Sequence, residues 1–326
     1  MKRQPFSVDV NEKTIGTEMK ISVTVFHQSM HLETDLLEPL GHECPICGSI
    51  DRKPLCLLQG TPEVFLLECA VCHAASASRM PTDRALEAYY AKYYESPLFS
   101  DSANRTTFDG TSRFGRHLAS VYRQHQRDLQ ISILDIGGGD GAISHAVAVE
   151  LLKKGASKVN ISVVDYNEDV ILPQDSRITI SRKATLEEIS SRHNFIIASA
   201  IIEHIPKPCH ILDSCFNLLE KGGIFYARTP YMVPIMKLCG HFGIKLDLTY
   251  PAHVHDLGQK FWESYFNGKL SRGTFRILRS RPSIVETSFR EHFLKTLAAY
   301  SLKSPWYLIG RSYKLVGGWE IFAQKS

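Results

Sequence analysis

The feature that most constrains this chain is a glycine-rich turn at Asp135–Gly141, with the sequence Asp-Ile-Gly-Gly-Gly-Asp-Gly. It follows the apolar run Ile131–Leu134 and precedes a segment of helical character that starts at Ala142. A strand, a glycine turn and a helix in this order let a ligand approach the backbone closely and meet free N–H groups at the helix N-terminus. A glycine pattern alone is weak evidence for a nucleotide-binding site. The neighbouring residues are needed to predict which ligand binds there.

The second polar element of this region is Asp165, at the end of the next apolar run, Val159–Val164. A carboxylate in that place can accept hydrogen bonds from both ribose hydroxyls of a nucleoside. Dinucleotide sites use Gly-x-Gly-x-x-Gly, whereas here Asp135 precedes the first glycine. That acid would repel a pyrophosphate but can orient an ammonium group, directly or through water. The pattern favours a nucleoside that carries an amino acid, such as S-adenosylmethionine.

Strand and helix patterns alternate around this turn, which predicts an α/β fold with a mostly parallel sheet and helices on both faces. Two helices come before it, one after Pro81 and one over Phe114–Leu129. The expected strands are Ile131–Ile136, Val159–Val164, Ile178–Ile180, Phe195–Ala200 and Ile224–Arg228, and the expected helices between them are Ala142–Lys154 and Cys209–Leu219.

Four cysteines form two pairs at metal-binding spacing, Cys44 with Cys47 and Cys69 with Cys72. Two Cys-x-x-Cys turns supply four thiolates, which complete a closed tetrahedral site with no open position for catalysis. The sequence therefore predicts a structural zinc in a small ribbon. The alternative is four unrelated buried cysteines.

These motifs resemble those of class I S-adenosylmethionine-dependent methyltransferases. Asp135–Gly141 and Asp165 resemble the first two motifs, Ser199–Ile205 the fourth-strand motif of the small-molecule subgroup, and Leu219–Gly223 the approach to the fifth strand. Cysteine pairs followed by a tyrosine-rich helix also resemble bacterial sugar C-methyltransferases. The resemblance implies a Rossmann-like sheet whose last strand is antiparallel, here Gly317–Ala323, after a strand over Phe275–Val285 and a helical insertion of about Arg290–Arg311.

The resemblance also implies the site residues. Those expected to bind the cofactor are Asp135, Gly137, Gly138, Gly139, Asp165, Tyr166, Thr185, Leu186 and Ala200. Thr185 stands where many relatives have an Asp that meets the adenine amino group. A catalytic base is needed only if the acceptor has a proton to lose. The candidates for that role are His204, His253 and His255.

The expected organisation is an N-terminal extension (1–40), a zinc-ribbon module (41–80) and a methyltransferase domain (81–326). Lid or substrate insertions are expected at about 231–260 and 285–315. No apolar stretch is long enough to span a bilayer, and no signal peptide is evident at the N-terminus. Together with the metal spacing of the cysteines, this predicts a reducing, cytoplasmic location. The sequence does not indicate an oligomeric state.

The formal net charge of +4 is too small to imply nucleic-acid binding by itself. The leading hypothesis is methylation, on oxygen or carbon, of a small molecule, sugar or glycan precursor. The alternative is an RNA or protein methyltransferase that uses the zinc ribbon and late basic residues to hold its substrate. A third is a catalytically silent binding protein. The late basic residues are Lys269, Arg272, Arg276, Arg279, Arg281 and Arg290.

Overall fold

The computed structural model describes residues 29–95, 110–268, 270–271 and 273–326, together with the backbone of 20–22. The expected N-terminal extension (1–40) and the basic residues Lys269 and Arg272 therefore lie partly or wholly outside the described residues. The strands are β1 (Lys20–Ser22), β2 (Arg52–Gln59), β3 (Val64–Cys69), β4 (Ala75–Ala77), β5 (Gln130–Ile136), β6 (Lys158–Val164), β7 (Ile178–Lys183), β8 (His193–Ser199), β9 (Leu219–Tyr231), β10 (Lys245–Asp247), β11 (His255–Asp256), β12 (Phe275–Pro282) and β13 (Gly317–Lys325).

The helices follow the predicted order closely. They are α1 (Asp83–Glu95), α2 (Thr111–His125), α3 (Ala142–Lys153), α4 (Pro208–Leu218), α5 (Val233–His241), α6 (Gln259–Asn267) and α7 (Phe293–Ile309). Helix α2 ends at His125 rather than Leu129, and Gln126, which follows it, already has an extended backbone. Gly155, predicted to terminate α3, has a φ of 91°, a conformation that glycine adopts without steric cost.

The main sheet has seven strands in the order β12-β13-β9-β8-β5-β6-β7. The strands from β9 to β7 are parallel to their neighbours, whereas β13 is antiparallel to both β9 and β12. This order and the single inserted antiparallel strand confirm the predicted Rossmann-like class I methyltransferase sheet. One apolar core lies on each face of the sheet, one around Trp262 and Phe225, the other around Phe114 and Tyr122.

Strand β9 is longer than predicted, because the Lys221-Gly222-Gly223 segment lies inside it as an irregularity rather than before it. The register against β8 jumps there, from His193 opposite Leu219 to Phe195 opposite Ile224. Gly222 has a φ of 79°, which lets the extra residues bulge out while pairing continues on both sides.

A second sheet of four strands, in the order β11-β4-β3-β2, contains the cysteine pairs. Three of its strands come from the expected ribbon. The fourth, β11, comes from the expected 231–260 insertion, and His255 pairs with Ser76 across the junction. Within the ribbon, Arg52 donates to the carbonyls of Gly41, Glu43, Ser76 and Ala77. The cysteine-bearing sheet is thus continuous with a loop of the large domain.

Candidate active site

The glycine turn lies where the carboxyl ends of the parallel strands meet. Gly137 donates its N–H to the carbonyl of Val164 (2.8 Å), which joins the ends of β5 and β6. Gly137, Gly139 and Gly141 have φ values of 65°, 58° and 80°, a region that side chains rarely adopt. At Gly137 a Cβ would lie 2.7 Å from Ile201 Cδ1, so the segment after β8 abuts the turn. Glycine is therefore required in this turn for two reasons: its backbone adopts positive φ values, and Ile201 leaves no room for a side chain at Gly137.

Asp135 is buried beneath this turn, with 2% of its surface exposed. Its Oδ2 atom has no hydrogen-bond partner among the described residues. Burial raises the pKa of the carboxyl to about 7, although hydrogen bonds from Ser144 act in the opposite direction. A buried carboxylate oxygen without a partner is costly unless a ligand completes its hydrogen bonding. An ammonium group meets that need, so Asp135 fits the amino-acid end of S-adenosylmethionine.

Asp165 lies beside the turn, as predicted. Its Oδ2 accepts the N–H of Gly139 (2.8 Å) and its Oδ1 accepts the N–H of Asn167 (2.8 Å). The carboxylate is therefore held in place by backbone donors on both sides. Tyr166, the next residue, is 85% exposed, so its ring is available to cover a bound nucleoside.

The remaining predicted cofactor residues lie on the neighbouring strand ends. Thr185 is exposed and begins a short 3₁₀ helix, Leu186–Glu188, through a capping box with Glu188, while Leu186 is buried. Ala200 directly follows β8, has a φ of 57° and donates its N–H to the carbonyl of Arg228 (2.9 Å). The backbone N–H of Thr185 donates to Glu188 Oε1 at 3.1 Å, so the backbone donor of this residue is already engaged.

The four cysteines predicted to bind zinc converge. One sulfur from each lies within 4.8 Å of the other three. Cys44 Sγ is 3.5 Å from Cys72 Sγ, and Cys47 Sγ is 3.5 Å from Cys69 Sγ. Both distances are far too long for a disulfide, whereas a tetrahedron with Zn–S bonds of about 2.3 Å separates its sulfurs by about 3.8 Å. The hydrogen bonds from Cys72, Cys47 and Ile46 lower the pKa of Cys44, whereas burial raises the pKa of Cys47 and the hydrogen bond with Cys44 raises the pKa of Cys72. The donor set fits zinc.

Two of the three predicted histidines meet. The rings of His204 and His253 have centroids 4.7 Å apart. His204 lies in the turn after β8, and His253 lies in the loop before β11. These segments are held together by the N–H of Val254, which donates to the carbonyl of Glu203 (3.0 Å). Both imidazoles therefore belong to one cluster at the carboxyl end of β8.

His255 has a different environment, and the geometry argues against the catalytic role predicted for it. It is completely buried, with Nδ1 2.8 Å from Ser76 Oγ and Nε2 2.9 Å from the carbonyl of Ile205. Burial lowers the pKa of its ring to about 4, which keeps the imidazole neutral. With both nitrogens engaged inside the protein, His255 connects the small sheet to the turn after β8. The sequence could not separate it from His253, two residues away.

Sequence reasoning missed Glu203 and Thr249, which complete the histidine cluster. Glu203 is 2% exposed and burial raises its pKa to about 8; its carboxylate belongs to a cluster with His204 and His253. Thr249 has a φ of 62°, an outlier for a β-branched residue, and its Oγ1 lies 2.8 Å from His253 Nδ1. Such strain is found where the surrounding structure enforces it, often at functional sites. Only the position of Glu203 in the fourth-strand motif could have pointed to it.

The comparisons identify the family. The profile of the family described as "Methyltransferase domain" matches residues 105–267, half of the chain. The chain belongs to the class I S-adenosylmethionine-dependent methyltransferases. A ubiquinone biosynthesis O-methyltransferase of Actinobacillus pleuropneumoniae serotype 7 is 30% identical over 108 residues, which cover 30% of this chain and 44% of that protein. A second, of Leptothrix cholodnii, is 25% identical over 39% of this chain and 56% of its own length. This methyltransferase thus matches about half the length of these curated relatives.

Solved structures with a similar fold include the plantazolicin methyltransferase BpumL, in complex with a substrate analogue and S-adenosylhomocysteine. It has a TM-score of 0.47 and 15% identity over 74% of this chain and 95% of its own. The magnesium protoporphyrin IX methyltransferase of Synechocystis, with bound S-adenosylhomocysteine, has a TM-score of 0.45 and 11% identity over 74% of this chain and 99% of its own. Within the described part of the methyltransferase, no helix combines the length and apolarity that crossing a membrane requires.

Proposed function

We propose that this methyltransferase transfers the methyl group of S-adenosylmethionine to a small-molecule acceptor, most simply to a hydroxyl oxygen. The observation that carries the proposal is the pair of buried imidazoles, His204 and His253, at the carboxyl end of β8. Hydroxyl acceptors have a proton to lose, and imidazole is the side chain best suited to accept one near neutral pH. The O-methyltransferases among the relatives agree with this choice.

The residues of the glycine turn would hold the cofactor. Asp135 would accept the ammonium group and Asp165 the ribose hydroxyls, while Tyr166 and Leu186 would contact the nucleoside. The bound cofactor supplies a methyl carbon that is already activated by its positive sulfur. The protein's task is then mainly to align the acceptor and to exclude water. Gly137, Gly138, Gly139, Thr185 and Ala200 complete the proposed cofactor site through their backbone.

The His204 ring would be the base in this mechanism. Its Nδ1 lies 2.8 Å from the carbonyl of Ala252, which can only accept a hydrogen bond. Nδ1 therefore carries the ring proton, and Nε2 is the basic nitrogen. His253 packs against it and would orient the acceptor.

We propose in addition that Cys44, Cys47, Cys69 and Cys72 bind one structural zinc in a module of about 41–80, ahead of a catalytic domain of 81–326 with insertions at about 231–260 and 285–315. The described chain holds eight free cysteines, which agrees with a reducing, cytoplasmic location. Metal analysis of the purified protein tests this point. Zinc below one equivalent, with four reactive thiols, would rule the site out.

The basic residues near the C-terminus give little support to the alternative of an RNA or protein substrate, because several of them already donate hydrogen bonds to side chains of this protein. Arg281 Nε donates to buried Glu320 (2.8 Å), Arg276 donates to Gln324 (2.7 Å) and Arg279 to Gln124 (3.2 Å). A sugar or glycan precursor, methylated on oxygen or carbon, remains the preferred acceptor class because the fourth-strand motif resembles that of the small-molecule subgroup.

Incubation with labelled S-adenosylmethionine and a cell extract, followed by fractionation by size, tests the proposal. Label is expected in the small-molecule or glycan fraction and should depend on His204. A His204→Ala variant that still binds S-adenosylhomocysteine provides the control. Label found only in RNA or protein would support the alternative and contradict the proposal.

A further inference from the structure

The histidine cluster contains a third polar group that the mechanism above does not use. Glu203, His204 and His253 each offer one ligand atom, and these three atoms lie within 4.8 Å of one another. Glu203 is 2% exposed, and its Oε2 has no hydrogen-bond partner in the described part of the chain. A buried carboxylate oxygen left in this state is costly. The other oxygen of the same carboxylate, Oε1, lies 3.9 Å from His204 Nε2.

The backbone fixes which nitrogen of each ring is basic. His204 Nδ1 meets the carbonyl of Ala252 (2.8 Å), and His253 Nδ1 meets the carbonyl of Leu248 (2.9 Å). Carbonyl oxygens only accept hydrogen bonds, so both Nδ1 atoms carry the proton and both Nε2 atoms carry a lone pair. Metal-binding histidines in proteins usually show this arrangement, with the second ring nitrogen donating to a carbonyl or carboxylate.

The segments that carry the three groups are pre-positioned. Val254 donates its N–H to the carbonyl of Glu203, which locks the His253 loop against the turn after β8. Thr249 holds its unusual φ of 62° where its hydroxyl meets His253. A site with little freedom to rearrange can bind an ion without a large ordering cost.

We propose that Glu203, His204 and His253 form a second metal site, which binds one divalent cation. Two imidazoles and one carboxylate suit borderline cations such as zinc, iron(II) or cobalt(II). Three protein ligands leave coordination positions open, unlike the closed set of four cysteines. The two sites therefore have different roles, one structural and one facing the acceptor.

The consequence for catalysis rests on the proposed function. A divalent cation and one carboxylate leave a net charge of +1, which matches one ionised acceptor oxygen. A cation at this point would lower the pKa of an acceptor hydroxyl, so that its proton could leave to solvent. With the cation bound, His204 Nε2 is a ligand, and the His204 ring acts as the base proposed above only in the metal-free protein. The oxygen then forms the O–CH₃ bond as the S–CH₃ bond breaks, and the sulfonium becomes a neutral thioether.

Titration of the zinc-loaded full chain with Co²⁺, followed by absorption and calorimetry, tests the second site. One further Co²⁺ per chain is expected, with weak d–d bands and without the intense charge-transfer band of a thiolate ligand. Glu203→Gln, which keeps the size of the side chain, should weaken this binding at least ~10-fold, the lower end of the effect seen when only a supporting residue is changed. His210→Gln, on the exposed side of α4, should leave it unchanged.

Absence of Co²⁺ binding would overturn the proposal. So would a thiolate band, which would mean exchange into the cysteine site, or equal binding by wild type and Glu203→Gln. Melting curves of wild type, Glu203→Gln and His210→Gln show whether each protein is folded, so that weaker binding by a folded Glu203→Gln variant reports on the carboxylate. S-adenosylhomocysteine is titrated into the same samples. If it binds while Co²⁺ does not, only the metal site is wrong, whereas failure of S-adenosylhomocysteine to bind contradicts the proposed function.

Discussion

The N–H of Ala77 donates to the carbonyl of Val254 at 2.9 Å, and this bond joins the cysteine-bearing sheet to the histidine loop. The pairing of β4 with β11 continues the same joint by two residue pairs, Ser76 with His255 and Ala75 with Asp256. Tyr250, in the same loop, donates its hydroxyl to the carbonyl of Arg79 (3.0 Å). The position of His253 therefore depends on how firmly the small sheet is folded.

Loss of the proposed zinc should consequently loosen the histidine loop. Cys69→Ser removes one ligand at the end of β3, and we expect zinc loss and a fall in Tm of at least about 5 °C, because metal binding contributes folding free energy. Hydrogen exchange of residues 249–256 should speed up. Cys239→Ser, on α5 and outside the group of four converging cysteines, is the control. If hydrogen exchange of residues 249–256 were unchanged in a zinc-free variant, the order of the histidine loop would not depend on the zinc module.

The affinity for S-adenosylhomocysteine should depend on the ionisation of Asp135. Burial raises the pKa of Asp135 to about 7, so the carboxyl becomes neutral below that pH and no longer pairs with an ammonium group. Between about pH 7.5 and pH 5.5, where the amino group of the ligand stays charged, the Kd should rise roughly 20-fold. Calorimetry across this range measures it.

Asp135→Asn provides the control, since it should bind weakly and with a flat pH profile. A wild-type profile that is equally flat would mean that the carboxyl does not contact the ligand.

The effect of pH on the stability of the ligand-free protein has the opposite sign to its effect on ligand binding. The folded state keeps a proton that the unfolded state has lost, so Asp135 stabilises the ligand-free protein at low pH. That contribution disappears as the pH rises from about 4 to about 7.

Gly138 should be sensitive for a steric reason. A Cβ at this position would lie 2.5 Å from Asp135 Cγ, so Gly138→Ala must displace the carboxylate. We expect the Kd for S-adenosylhomocysteine to rise at least ~10-fold, or ~1.4 kcal/mol. Gly155→Ala is the matched control, because its φ of 91° makes alanine costly by ~1 kcal/mol while its surroundings are open. It should lower the Tm and leave the Kd unchanged.

Local patterns predicted the features that depend on neighbouring residues. The glycine turn, Asp165 and the cysteine pairs each follow from short spacings next to a strand or a tight turn. The sequence could not distinguish His253 from His255, because their difference arises from contacts with Ser76, about 180 residues away, and Ile205. The burial of Glu203 and the φ of Thr249 also result from packing between distant segments, which periodicity does not encode.

The last prediction separates the histidines by role. His255→Ala would leave the Ser76 hydroxyl and the Ile205 carbonyl without partners in a buried cavity, so the free energy of unfolding should fall by ~2–4 kcal/mol. His204→Ala should instead lower kcat ~10²- to 10⁴-fold, since it removes a group that faces the acceptor. Its Tm should fall less than that of His255→Ala, because it removes the hydrogen bond between the ring and the Ala252 carbonyl, whereas His255→Ala removes two buried hydrogen bonds. Steady-state kinetics well below each Tm, with melting curves on the same samples, measure both. If His255→Ala lost kcat at an unchanged Tm, that ring would act on the substrate, and its assignment as a structural connection would be wrong.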